Sequence, residues 1–184
     1  MSLDPTPMAP ALRAAVLQLL WPDGAQRAGS VWAVLDCARD PAIYRALLES
    51  RLEFRCLYSG SLPRALEMNA PHLVELFPEH RLTARLLDAW GQSWGVFLQV
   101  NDAANLRHHL RKFLKVNDAQ GRSLLFRYYD PRVLPTFLRS CDAEQLRLLF
   151  GDVVRTWLAE TGDGLLALSL QGGRLRERST LVPA

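Results

Sequence analysis

Short apolar runs, rich in β-branched and aromatic residues, alternate with segments of helical periodicity through most of the chain. The strand-like runs are residues 31–35, 54–58, 73–77 and 95–100. The helix-like segments beside them are residues 10–21, 41–48, 63–68, 78–90 and 102–113. Such alternation predicts an α/β domain with a mixed central sheet and helices packed around it.

The pattern changes after residue 113. A turn at residues 118–121 separates two short runs, 113–116 and 123–129, which predicts an antiparallel hairpin. Asp142 and Gln145 have the spacing of a capping box, so a helix is expected from there to Gly151. Residues 153–158 and 165–170 are two further strand candidates. The second part is therefore predicted as an antiparallel hairpin and a helical C-terminal part.

Length and composition favour one domain. The chain has 184 residues, of which 49% are hydrophobic and 22% charged, as in ordinary globular proteins. Residues 10–172 are predicted to form this domain, at most divided into two lobes near residue 117. The start, residues 1–9, has few large apolar side chains and is expected to be a flexible arm. The arginine-rich end, residues 173–184, is expected to be a flexible tail.

Charge, cysteine content and hydropathy bear on compartment and partners. The net charge of +3 is too small to indicate nucleic acid by itself. The three cysteines, Cys37, Cys56 and Cys141, are far apart and form no C-x-x-C pair, which favours reduced thiols. No secretory signal and no apolar run of about 18 residues is visible. We expect a cytoplasmic protein with neither a membrane nor a nucleic-acid partner.

The sequence contains no convincing cofactor or metal motif. His72 and His80 are too far apart to share one helix turn, whereas His108 and His109 are adjacent and point in different directions. The glycine pairs near the C-terminus lack the spacing of a phosphate-binding loop. The sequence therefore predicts no cofactor and no metal site.

The sequence contains one match to an enzyme motif. Residues 91–95 match G-x-S-x-G, but a nucleophile elbow needs a strand before the serine and a helix after it. The order expected here is the reverse, and the candidate partners Asp102 and His108 would share one short helix. We interpret the motif as a helix-to-strand turn. A small α/β hydrolase that uses Ser93 is kept as an alternative.

Residues 107–115 are strongly basic and contain no acid. Arg107 and Arg111 are spaced to stack on one helix face, opposite Leu106 and Leu110. Three interpretations stay open at this point: a solvated helix face, a surface for an acidic protein partner, or a basic nucleic-acid-binding module.

The segment FRYYDPR, residues 126–132, is the densest local signal. On a strand, Arg127 and Tyr129 share one face. Asp130 precedes a proline, so it can cap the following turn and pair with Arg127 or Arg132. This predicts a structural latch. In the alternative interpretation, Arg127 or Arg132 presents its guanidinium group in a partner-binding groove.

Eight short segments, in their order along the chain, carry a family resemblance. They are residues 34–36, 56–60, 70–74, 94–98, 106–114, 121–122, 126–134 and 149–151. Across roughly residues 30 to 158 the chain resembles the domain-of-unknown-function family 4123, the type VI secretion adaptor chaperones. The resemblance implies a protein that is not an enzyme. It would hold a toxin effector and help to load it on the valine-glycine-repeat spike protein. The motif positions taken as partner-binding candidates are Arg107, Arg111, Arg127, Tyr129, Asp130 and Arg132.

Overall fold

A seven-stranded antiparallel sheet forms the centre of the computed structural model, which describes residues 8–22, 31–162 and 164–180. Seven strands form this sheet: β1 (Val31–Asp36), β2 (Phe54–Cys56), β3 (Pro71–Glu75), β4 (Gly95–Val100), β7 (Val154–Thr161), β8 (Gly164–Gln171) and β9 (Arg174–Ser179). Two further strands, β5 (Lys115–Asn117) and β6 (Ser123–Leu125), pair with each other in a separate hairpin. The helices are α1 (Pro10–Leu20), α2 (Pro41–Ser50), α3 (Arg64–Glu67), α4 (Arg81–Asp88), α5 (Ala103–Arg111), α6 (Leu134–Ser140) and α7 (Ala143–Phe150).

The first four strands form two crossover units that interleave. The strand order of the large sheet is β2-β3-β1-β4-β7-β8-β9. The connection through α2 therefore skips over β3, and the connection through α4 skips over β1. Because β2, β3, β1 and β4 pair antiparallel in this order, they have the topology of a ferredoxin-like split βαβ unit.

The rest of the chain extends the sheet and covers its second face. Strands β7, β8 and β9 continue it from β4 by successive antiparallel pairs. Between β4 and β7 the chain forms α5, the separate β5–β6 hairpin, α6 and α7. The three helices of this insertion pack on the face opposite to α1, α2 and α4. The sheet is thus enclosed by two helical layers.

Burial on both faces explains why the central strands are apolar almost without interruption. In β1, Ala33 and Leu35 enter the core beneath α2 and α4, whereas Val34 enters the core beneath α5 and α6. All six residues of β4 are buried. A strand that is covered on both faces has no solvent-exposed face that would favour polar residues, so its sequence is mostly apolar.

Side-chain caps fix several helix starts. Asp40 accepts a hydrogen bond from the Ala42 amide, and Asp102 accepts one from the Asn105 amide. Asp142 and Gln145 form a capping box at α7, which confirms that sequence prediction. These caps satisfy amide groups that would otherwise lack partners at a helix N-terminus.

The α/β class, the central sheet and the antiparallel hairpin are confirmed. The described sheet is antiparallel throughout instead of mixed, because each crossover places its two strands on either side of a third. The C-terminal part is helical only as far as Phe150 and continues as three strands. The flexible tail predicted from residue 173 is wrong for residues 174–179, which form β9.

Two domain predictions are not decided by these elements. The flexible arm was predicted for residues 1–9, of which residues 1–7 lie outside the described residues. A division into two lobes near residue 117 stays a prediction, although β4 and β7, one on each side of it, pair in the same sheet.

Candidate functional site

The FRYYDPR segment links the β5–β6 hairpin to α6. It passes over the core between the sheet and the helices α5, α6 and α7, which we call the insertion-side core. The Phe126 amide donates to the Leu114 carbonyl oxygen at 2.8 Å, which continues the hairpin pairing by one step. The buried Tyr128 hydroxyl donates to the Leu110 carbonyl oxygen at 3.0 Å, and its ring packs edge-on against Trp157. Burial raises the pKa of Tyr128, so this phenol stays neutral. Tyr128 therefore anchors the segment to both α5 and the sheet.

Arg127 pairs with a carboxylate that is 91 positions away in the sequence. Its Nη2 contacts Oδ2 of Asp36, the last residue of β1. The Asp36 side chain is only 2% exposed, whereas that of Arg127 is 44% exposed. The hydrogen bond to Asp36 raises the pKa of the Arg127 guanidinium group. Arg127 thus neutralises a buried charge and ties the segment to the sheet.

Asp130 forms the predicted latch, with Arg132 as its partner. One carboxylate oxygen accepts the Arg132 amide and Nε, both at 2.9 Å, and the other accepts Nη2 at 2.6 Å. The Asp130 carbonyl oxygen accepts the amides of Val133 and Leu134 at the start of α6. Burial alone would raise the pKa of Asp130, but the hydrogen bonds and charge of Arg132, together with the charge of Arg39, lower it. The carboxylate is therefore ionised and holds the turn.

Tyr129 is enclosed by the fold, although it was a candidate for partner binding. It is 1% exposed, and burial together with the neighbouring Tyr58 raises the pKa of its hydroxyl group. A side chain with so little accessible surface packs within this chain. Its place in the motif is structural.

The contacts of Arg107 also differ from the exposed position that the sequence predicted for it. Its Nε and Nη2 donate to the Cys56 carbonyl oxygen at 2.9 and 2.8 Å, and Nη2 reaches the Tyr58 carbonyl oxygen at 3.3 Å. These carbonyl groups lie at the end of β2, where the chain leaves the sheet and its backbone acceptors need donors. Arg107 thus stabilises the end of β2, and the predicted Arg107–Arg111 stripe does not form one exposed surface.

Arg111 instead lines a cleft that we call the hairpin groove, between α3, the end of α5 and the β5–β6 hairpin. Its volume is about 650 Å³. Its aliphatic lining is Leu57, Leu62, Leu66, Leu114 and Leu125. Its basic lining is Arg111, Lys112 and Lys115. Tyr58 and Ser59 complete the lining, and among these described residues none is acidic.

Ser93 lies in the turn between α4 and β4, as predicted from the sequence. Its φ of 55° is left-handed, and its amide, like that of Gly91, donates to the carboxylate of Glu160. Gly95 is required because a β-carbon there would overlap the Val34 carbonyl group. The cleft beside Ser93 has Glu160, Arg132 and Arg139 in its lining, and no histidine among the described residues that line it. The motif thus has a structural explanation in the turn and its close approach to β1.

The buried histidines make local structural contacts. His109 Nε2 donates to the Leu149 carbonyl oxygen at 2.9 Å, which joins α5 to α7. His72 Nδ1 lies 2.9 Å from the Ala70 carbonyl oxygen and 3.4 Å from Cys37 Sγ. Burial raises the pKa of the Cys37 thiol to about 12, so a thiolate is disfavoured there. Across residues 8–22, 31–162 and 164–180, no three His, Cys, Asp or Glu side chains are grouped as a metal site would need.

The sequence model of one protein family, described as a domain of unknown function (DUF4123), matches residues 31–148. The match covers more than half of the 184 residues. The chain belongs to the DUF4123 family. No curated protein and no protein of solved structure matches it. The DUF4123 match includes the FRYYDPR segment and the whole hairpin groove, and it ends before β7.

Sequence reasoning found the latch but missed the groove and Asp36. The groove combines side chains from residues 57–66, 111–115 and 125, which only the folded chain brings together. The available signal was the hydrophobic pair Leu124-Leu125 in a hairpin strand, where one face should have been polar. No helix in the described part of the chain is long and apolar enough to cross a membrane.

Proposed function

We propose that this protein is an adaptor chaperone of a type VI secretion system. It binds a toxin effector and helps to load the effector on the valine-glycine-repeat spike protein. The ordered family motifs support this role, because the resemblance that they carry is to such adaptors. The observation that carries the proposal is the β5–β6 hairpin, which exposes apolar side chains that a partner could cover.

The apolar side chains at this surface are accessible to a partner. Leu125 of the hairpin is 52% exposed, and Leu66 of α3, which lines the same groove, is 47% exposed. All six residues of the two hairpin strands are exposed. A two-stranded hairpin is marginal in water unless another surface packs against it. Contiguous exposed apolar side chains commonly mark a protein-binding surface. An adaptor that waits for its effector would carry such a surface.

The test uses the native bacterium with the gene for this protein deleted. Secretion of the effector should be lost in the deletion strain and restored by the wild-type protein. A tagged copy should co-purify the effector and the spike protein, identified by mass spectrometry. Normal effector secretion in the deletion strain would contradict the proposal.

The same strain separates the proposal from the hydrolase alternative. A Ser93→Ala protein should restore secretion fully, because an adaptor needs no nucleophile. The measurement is the amount of secreted effector, with the amount and melting temperature of the variant as controls. If a stable, folded Ser93→Ala variant does not restore secretion, the hydrolase alternative gains support. A salt-sensitive gel shift with generic duplex DNA would instead favour the nucleic-acid alternative.

A further inference from the structure

The two faces of the β5–β6 hairpin differ in their surroundings. In the antiparallel register Lys115 is opposite Leu125, and Val116 is opposite Leu124. Opposed residues project from the same face, and successive residues project from opposite faces. Lys115 and Leu125 accordingly line the hairpin groove, whereas Val116 and Leu124 are not part of its lining. The groove is therefore formed by one defined face of the hairpin.

The groove has an apolar floor and apolar sides. Leu57 and Leu114 are buried and form part of the insertion-side core, so the floor belongs to the packed interior. Leu66 of α3 is 47% exposed and lines the groove together with Leu125. A concave apolar surface with exposed aliphatic sides is suited to receive the side chains of another protein segment.

The charged residues that line the groove all have one sign. Arg111, Lys112 and Lys115 line it, and none of its described lining residues carries a carboxylate. The nearby Glu67 belongs to an adjoining cleft that Arg107 also lines. A basic lining around aliphatic side chains is complementary to a segment that combines aliphatic and acidic residues.

We infer that the hairpin groove holds the effector by a short segment of acidic and aliphatic residues. The aliphatic side chains enter between Leu66 and Leu125, and the carboxylates face Arg111 and Lys115. This inference rests on the proposed function and adds the surface and the chemistry of recognition. Single-stranded nucleic acid fits less well, because Tyr58 is the only aromatic residue in the described lining and base stacking needs several.

The first experiment uses the effector that co-purifies with the wild-type protein and measures its affinity by calorimetry. Leu125→Asp places a charge in the groove, and Leu124→Asp places the same charge on the opposite face at nearly equal exposure. We expect Leu125→Asp to weaken binding by about tenfold or more, and Leu124→Asp to have little effect. Thermal melts establish that both variants are folded to the same extent.

The second experiment tests the charges. Arg111→Glu with Lys115→Glu reverses two charges of the groove, and Arg45→Glu with Arg85→Glu reverses two exposed charges beyond the other face of the sheet. Only the groove pair should weaken binding and reduce its dependence on salt. Equal effects of the two pairs, or of the two aspartate variants, would overturn the groove as the binding site while leaving the adaptor function intact.

A third experiment is independent of the effector. The methyl signals of Leu62 and Leu66 are followed by NMR during titration with a synthetic peptide of leucine and glutamate. A peptide with lysine in place of glutamate is the control. Saturable shifts with the glutamate peptide alone support the groove even if no effector co-purifies, in which case the adaptor function fails and the recognition chemistry stands. Equal responses to both peptides, or none, overturn the inference.

Anionic vesicles provide the competing outcome for a basic and apolar surface. The wild-type protein is sedimented with phosphatidylglycerol vesicles, alongside Leu125→Asp and Leu124→Asp. We expect no sedimentation above that with neutral phosphatidylcholine vesicles. Sedimentation that depends on Leu125 but not on Leu124 would assign the groove to a lipid surface and overturn the inference.

Discussion

Asp130 concentrates several stabilising contacts at one residue. Its carboxylate accepts three hydrogen bonds from Arg132, and its carbonyl oxygen accepts the amides of Val133 and Leu134 at the start of α6. Asp130→Ala removes the turn cap and the ion pair, so we expect the free energy of unfolding to fall by about 1–3 kcal/mol. Urea unfolding at neutral pH measures the difference.

Asp130→Asn serves as the comparison, because it keeps the shape of the side chain and part of its hydrogen bonding. It should destabilise the protein less than Asp130→Ala does. An unchanged unfolding free energy in Asp130→Ala, together with weaker binding of the proposed effector, would make Asp130 a contact residue and contradict its role as a latch.

Residues close in sequence could be paired by inspection, and distant ones could not. Asp130 and Arg132 are two positions apart, and the proline between them restricts the turn, so the latch followed from local geometry. Arg127 and Asp36 are 91 positions apart, and nothing local distinguishes Asp36 from the other acids as the partner. Arg107 is held by backbone carbonyl oxygens, which leave no trace in the pattern of side chains.

The elements were predictable where apolar periodicity was strong. The strands β1, β3 and β4 lie close to their predicted positions, because burial on both faces makes their sequences mostly apolar. Strand β9 was missed because its residues, RLRERS, are mostly charged and exposed. Its conformation comes from pairing with β8 and from the Arg139–Glu177 ion pair, both of which depend on the tertiary fold. Charged side chains are common on edge strands because they oppose pairing with another molecule.

Removal of β9 should expose a strand that is unsuited to be an edge. Strand β8 has the sequence GLLALSLQ, which is mostly apolar. A chain that ends at Gly172 would lose all of β9 and leave the hydrogen-bonding groups of β8 without partners on that side. We expect a lower melting temperature and concentration-dependent aggregation, measured by calorimetry and light scattering.

The matched control for this truncation is Arg139→Ala, which breaks the ion pair with Glu177 but keeps β9. Its two hydrogen bonds, both 2.8 Å, join exposed side chains. Such a pair contributes about 0–1 kcal/mol, so aggregation should stay at the wild-type level. If the truncated chain behaves like Arg139→Ala, then β9 adds little beyond its ion pair, and its role as a protective edge is wrong.

At the scale of the whole molecule, two buried histidines, one on each face of the sheet, make the stability of the fold depend on pH. His109 donates to the Leu149 carbonyl oxygen from within the insertion-side core. Burial lowers its pKa, assisted by the charges of Lys112 and His108 and opposed by the hydrogen bond to Leu149. On the other side of the sheet, burial also lowers the pKa of His72. In both places the folded state favours the neutral imidazole.

The sign of the effect follows from linkage. Because the pKa of each imidazole is lower in the folded state than in the unfolded state, where it is about 6.5, the unfolded state takes up protons first as pH falls. The stabilisation is complete above about pH 6.5 and declines as pH falls toward the folded pKa values.

Two partly buried glutamates act in the opposite direction. Burial raises the pKa of Glu75. Burial also raises the pKa of Glu160, although the amides of Gly91 and Ser93 donate to its carboxylate and oppose the rise. A carboxyl group whose pKa is higher in the folded state binds its proton more readily there, so acidification favours the folded state at these two positions.

Substitution of the buried imidazoles isolates their contribution from that of the two glutamates. His109→Gln keeps a donor for the Leu149 carbonyl oxygen but cannot gain a proton in this range, and His72→Gln makes the same change on the other face. The unfolding free energies of wild type, both single variants and the double variant are measured by urea titration between about pH 7.5 and about pH 5.5.

Each buried imidazole contributes a slope of at most about 1.4 kcal/mol per pH unit, so each single variant should lose stability less steeply on acidification than wild type. The double variant should be the least sensitive, because His72 and His109 lie on opposite faces of the sheet and their effects should add. Four parallel curves would mean that both imidazoles titrate alike in the folded and unfolded states, and that burial at these two positions does not control the acid sensitivity of the fold.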